Sequence, residues 1–91
     1  MNKDEFVEKA RDLFYIPFFD DKGNLINCEN ISGNQFVRVF VNFDFFKRTT
    51  TSFEIGTAGT RIGVGDADAY ILDLQNAKKF IKLAEEFVGG A

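Results

Sequence analysis

The stretch FVRVFVNFDFF, Phe36–Phe46, sets Val37, Val39, Val41, Phe43 and Phe45 on one side at period two. Phe36, Arg38, Phe40, Asn42, Asp44 and Phe46 fall on the other side. Successive side chains of an extended chain point to opposite faces, so this pattern predicts a strand with one uniformly apolar face. The rest of the fold is read outward from that strand.

Downstream, TTTSFEIG reads as a second strand, with Phe53 and Ile55 facing in and Ser52 and Glu54 facing out. TRIGVG and AYILDL are expected to follow as a third and a fourth. Upstream, YIPFFDDKGNLINC has the form of a short hairpin in which Gly23 can take positive φ between two apolar pieces. The ends are helical in pattern. In MNKDEFVEKARDLF, Asn2 can cap the helix with Glu5 at capping-box spacing. Phe6, Ala10, Leu13 and Phe14 then share a face until Pro17 closes the segment. In LQNAKKFIKLAEEFV, Asp73 is the expected N-cap. Ala77, Phe80, Ile81, Ala84, Phe87 and Val88 make its apolar stripe, and Gly89–Gly90 stop it.

Helix, strands and helix joined by short loops predict one α+β domain over residues 1–91. Its expected architecture has two layers. An antiparallel sheet of about four to six strands would carry the N-terminal and C-terminal helices on one face. At 91 residues such a chain buries roughly 60–70% of its unfolded surface, enough to fold alone with little in reserve.

GTAGTRIGVGDADAY, Gly56–Tyr70, raises a separate question, because glycine-rich loops can cradle phosphates. The Walker pattern needs Gly-Lys-Ser/Thr, and no lysine is present here. Glycines 56, 59, 63 and 65 also miss the spacing of the dinucleotide fingerprint. Turn chemistry fits better, with Ala58–Gly59 as one hairpin turn and Gly65–Asp66 near another.

Composition narrows the chemistry. With no histidine and a single cysteine, Cys28, the chain cannot build Ser-His-Asp or Cys-His nucleophile systems, the usual zinc sites or an internal disulfide. Cys28 has Asn27 and Glu29 beside it and no local cation, which suits a structural thiol. Asp66 and Asp68 lack calcium-loop spacing and read as a solvated turn. Asp44, Glu54 and Asp73 carry no spacing that indicates acid–base catalysis. Neither a cofactor nor a metal is called for, and an enzyme is not expected. The N-terminus lacks the apolar run of a signal peptide and nothing approaches a membrane span, so the expected location is cytoplasmic, with no membrane partner.

The candidate site is the second face of the central strand. Phe36, Arg38, Phe40 and Phe46, with Lys47 and Arg48 just beyond and Arg61 on a neighbouring strand, combine aromatics and cations as binding patches do. The expected function is a small non-enzymatic protein-binding module, whether inhibitor, adaptor, subunit or homodimer. By type this is also what phages and mobile elements encode as stoichiometric inhibitors. The alternative is a single-stranded nucleic-acid or nucleotide binder, with aromatics stacking bases and arginines tracking phosphates. Residues 34–62 hold four basic and two acidic side chains, a small local excess on a chain of net charge −3.

Overall fold

The structure, a computed structural model, describes residues 1–57 and 62–90. Helix α1 spans Lys3–Asp12, followed by β1 (Tyr15–Phe19), β2 (Leu25–Asn30), β3 (Val37–Asp44), β4 (Thr49–Thr57) and α2 (Ala67–Val88). The fold is α+β with antiparallel strand pairs, as the pattern of elements predicts.

The start of α1 follows from its sequence. Asn2 stays extended while its side-chain oxygen accepts the Glu5 N–H at 2.8 Å, satisfying one orphan donor of the first turn. Phe6 and Ala10, one turn apart, are completely buried. Phe14, just past the end of the helix, sits at φ 65°, a left-handed conformation in which glycine is the usual residue.

The strands form two separate two-stranded sheets, β1–β2 and β3–β4, rather than one continuous sheet. Side-chain chemistry between β2 and β3 gives the reason. Asn30 Nδ2 donates to the Val37 carbonyl at 2.9 Å, and Cys28 Sγ to the Val39 carbonyl at 3.3 Å. Two alternate side chains of β2 thus reach the edge of β3 in place of a main-chain ladder. Near the other end of the junction, the Thr50 hydroxyl donates to the Leu25 carbonyl at 2.6 Å. Among the described residues the outer edge of β4 pairs with no other strand.

Helix α2 differs most from expectation. AYILDL belongs to its first two turns and is not a strand, and the helix runs without a break for 22 residues. Asp73 is no cap; it is buried within the second turn of the helix. The inward positions Ala69, Asp73, Asn76, Ala77, Phe80 and Ala84 keep helical spacing, but two of them are polar and interrupt the apolar stripe. No strand forms over Ile62–Gly65, the described part of the expected third strand. The expected Ala58–Gly59 turn lies outside the described residues.

The core is aromatic. Phe6 stacks on Phe87 with centroids 4.5 Å apart and on Phe80 at 5.9 Å, while the Tyr15 ring lies parallel to Phe80 at 4.5 Å. Ala10, Ala77 and Ala84 are fully buried, and their small size leaves room for these rings where the helices meet the first hairpin. Helix α1 packs on β1, and α2 packs on α1, β3 and β4.

Candidate interaction surface

The two faces of β3 separate as the alternation requires over its first half. Val37 and Val39 are buried, while Arg38 and Phe40 are exposed. Phe40 pairs across the ladder with Glu54 and Arg38 with Gly56, which places these four residues on the outer face. The Phe40 ring leans over Gly56 so closely that a Cβ there would fall 2.5 Å from ring carbon Cε2. Only glycine admits this approach. The ring is thereby held flat on the ribbon with half its surface, 49%, still open to solvent.

Phe36 does not join this face. It is 7% exposed and packs toward the Tyr70 ring at 6.5 Å. The extended alternation begins only at Val37, because Gln35 takes a left-handed φ of 50° and turns the chain just before the strand. Phe36 and Val37 therefore both point inward, and Phe36 belongs to the core rather than to the exposed face expected for it. Arg61, the other outlying member of the expected patch, lies outside the described residues.

At the far end of β3 the pattern fails for a different reason. The register shifts between Asn42 and Phe43, with Thr51 as the extra residue of β4. Past Asp44 the chain turns, so Phe45 leaves the inner face assigned to it and is 80% exposed; Phe46 is wholly exposed. Asp44 Oδ1 fixes this turn by accepting the Phe46 and Lys47 N–H groups at 2.8 and 3.0 Å. Arg48 follows at φ 52°, where a non-glycine residue carries strain. Phe45 keeps an edge-to-face contact with Phe43 at 5.1 Å, whereas the Phe46 ring touches nothing in this fold. The strand expected to reach Phe46 ends at Asp44, so Phe46, Lys47 and Arg48 lie at the hairpin tip rather than along the sheet face, and Phe45 joins them. The signal for Phe45 was the Asp-Phe-Phe-Lys run, in which an aspartate can close a turn on its own following amides.

Electrostatics at the tip is mixed. Asp20, in the β1–β2 turn, is held below its ordinary carboxylate range, first by the hydrogen bond from the Asn24 side chain and, more weakly, by the charge of Arg48. On the outer face the Asn42 amide donates to Ser52 Oγ at 2.9 Å and to Glu54 Oε1 at 3.3 Å, so an acid stands beside Arg38 and Phe40.

The glycine segment leads into α2, not into the strand expected over AYILDL. Asp66 nevertheless turns its own carboxylate back onto the Gly63 N–H at 2.7 Å, and Asp68 adds a second negative charge to the first turn. These acids occupy and repel from the position an anion would need.

Sequence reasoning missed the polar hub of the molecule. Asp73 is 5% exposed and accepts three hydrogen bonds, from Val37 N at 2.8 Å, Asn30 Nδ2 at 3.0 Å and Ser32 Oγ at 3.2 Å. Close by, burial raises the Tyr15 hydroxyl well above its ordinary range, with the charge of Asp73 adding to the effect. That hydroxyl is buried without a hydrogen-bond partner. Burial also pushes the Cys28 thiol up to about 12, making it a poor nucleophile. Among the described residues no three His, Cys, Asp or Glu side chains gather as metal ligands, and no helix is long and apolar enough to cross a membrane. No family model matches the chain, and no curated protein or solved structure shows significant similarity to it.

Proposed function

We propose that the protein is a non-enzymatic binding module that holds a partner protein through the tip and outer face of the β3–β4 hairpin. It would occupy its target stoichiometrically, as inhibitors, adaptors and subunits do. One observation carries this reading: a built turn, closed by two hydrogen bonds to Asp44, holds Phe45 and Phe46 in solvent at 80% and 100% exposure. Large apolar rings held out of the core reduce solubility unless a partner covers them. Aromatic and arginine side chains dominate the energetics of interfaces. Lys47, Arg48 and Arg38 supply a charged rim, and Phe40 extends the apolar area along the ribbon. The free outer edge of β4 adds main-chain donors and acceptors that a partner strand can pair with.

The test is capture of partners on wild-type protein and on Phe46→Ser, with and without nuclease, followed by native mass spectrometry. Phe46 contributes nothing to packing, so this variant keeps the wild-type melting temperature. A protein recovered at fixed stoichiometry with nuclease present, and lost with Phe46→Ser, is the expected result. Nuclease-sensitive recovery would replace the reading with single-stranded nucleic-acid binding by Arg38, Phe40, Lys47 and Arg48. Equal recovery on both proteins would remove the tip from the interface.

A further inference from the structure

We propose that the groove between the first half of α2 and the chain from Ile31 to Asn34 is a binding site for a small apolar amine. Its volume is about 230 Å³. Ala69, Leu72, Asp73 and Asn76 line it from α2, at spacings that place all four on one face of the helix. Phe14 and Ile31 form the facing wall. Phe14, Ile31 and Leu72 are 47%, 42% and 54% exposed, so three large apolar side chains open onto the same space.

Two polar groups at the floor define the ligand. A carboxylate offers about four acceptor positions, and Asp73 uses three of them on Asn30, Ser32 and Val37. All three donors are neutral. The sole ion pair among the described residues is Lys9–Glu5 on α1, so the charge of Asp73 has no cationic partner there. Asn76 is 9% exposed and lines the groove, and its carboxamide makes no hydrogen bond to the described residues. Its polar atoms are not among the fully buried, unpartnered ones, so they are open to a ligand in the groove.

A ligand that satisfies both groups brings N–H donors and positive charge to Asp73 and Asn76, with an apolar body against Phe14, Ile31 and Leu72. A primary ammonium on a hydrocarbon or aromatic body meets these conditions. Anions are repelled by Asp73, and a bare metal ion would gain nothing from the apolar walls. The site shares no residue with the hairpin tip, so it stands or falls apart from the proposed partner surface.

The experiment is an NMR titration of ¹⁵N-labelled protein with 2-phenylethylamine, using 2-phenylethanol and ammonium chloride as controls. Saturable shifts are expected at Ser32, Gly33, Asn34, Leu72 and the Asn76 side-chain amide. The alcohol is expected to bind at least about tenfold more weakly, as loss of one charge-assisted hydrogen bond implies. A leucyl tripeptide with a free amine, compared with its acetylated form, tells a free amine from a polypeptide N-terminus as the source of the same chemistry. Phe14→Gly removes one wall while relieving the left-handed backbone strain at that position, so it folds and is expected to weaken the amine several-fold. Asp73→Asn, where it folds, is expected to abolish the preference for amine over alcohol. Non-saturable shifts, equal binding of amine and alcohol, or binding untouched by Phe14→Gly would overturn the proposal.

Discussion

Strand β3 joins two aspartates that do the same job in opposite surroundings. Near its first residue, Asp73 accepts the Val37 N–H inside the protein; at its last, Asp44 accepts the Phe46 and Lys47 N–H groups in solvent. Around Asp73 the polar groups are buried. Around Asp44 the large apolar groups are exposed. The usual distribution is inverted at both ends, and the inversions have different physical meanings. A buried carboxylate can stay in the core only while each of its bonds is made, so it dictates where α2, β2 and β3 meet. An exposed aromatic tip asks nothing of the rest of the fold, which leaves it free to serve a partner.

The comparison is sharpest at Asp73. Asp73→Ala would strand the buried Val37 amide and take one bond each from the Asn30 amide and the Ser32 hydroxyl, and is expected to lower stability by about 3 kcal/mol or more. Chemical denaturation measures this, and a loss below about 1 kcal/mol would remove Asp73 from its central place. Tyr15→Phe should act in the opposite direction. Its hydroxyl is buried without a partner, so deleting it is expected to raise stability by about 1–2 kcal/mol. Asp44→Ala loses a surface turn bond of the kind an N-cap makes and should lower stability by about 1 kcal/mol. A loss equal to that of Asp73→Ala would mean that burial does not distinguish the two ends. Phe46→Ser, the mildest change, should move stability by less than about 0.5 kcal/mol.

The interior also sets a pH limit. The Cys28 thiol is harder to ionise when folded, its value being raised from 9.0 to about 12, so the unfolded chain loses that proton first. Its contribution to stability is complete below about pH 9 and declines as pH rises from there toward about 12. Tyr15, also raised, steepens the decline above its unfolded value of 10.0. Urea unfolding at pH 8 and at pH 10 should show the drop, and Cys28→Val should flatten it over that interval. A slope unchanged by this variant would deny the thiol its part.

Much of the fold was legible because local patterns agreed with the tertiary structure. Asn2, Phe6 and Ala10 announce α1, Gly23 sits at positive φ in the first hairpin turn, and Val37 and Val39 face the core. The start of α2 was hidden because Asp73 and Asn76 take inward positions that an apolar stripe would fill, leaving Tyr70, Leu72 and Leu74 to imitate a strand. The Asp73 hub was invisible for another reason: its donors lie 36 to 43 residues away, beyond any local pattern. Alternation put Arg38 and Phe40 on the exposed face of β3, whereas the Asp44 turn that carries Phe46, Lys47 and Arg48 was hidden in the apparent continuation of the strand. Phe36 was misplaced by a single left-handed residue, Gln35, ahead of the strand.

Amide hydrogen exchange across β3 tests this division most directly. The Val37 N–H, held by Asp73, should exchange only through global unfolding, while the Phe46 and Lys47 N–H groups at the tip exchange through local opening, orders of magnitude faster. Equal protection at the two ends, or rapid exchange at Val37, would contradict the claim that the buried carboxylate holds the fold while the tip is free to bind.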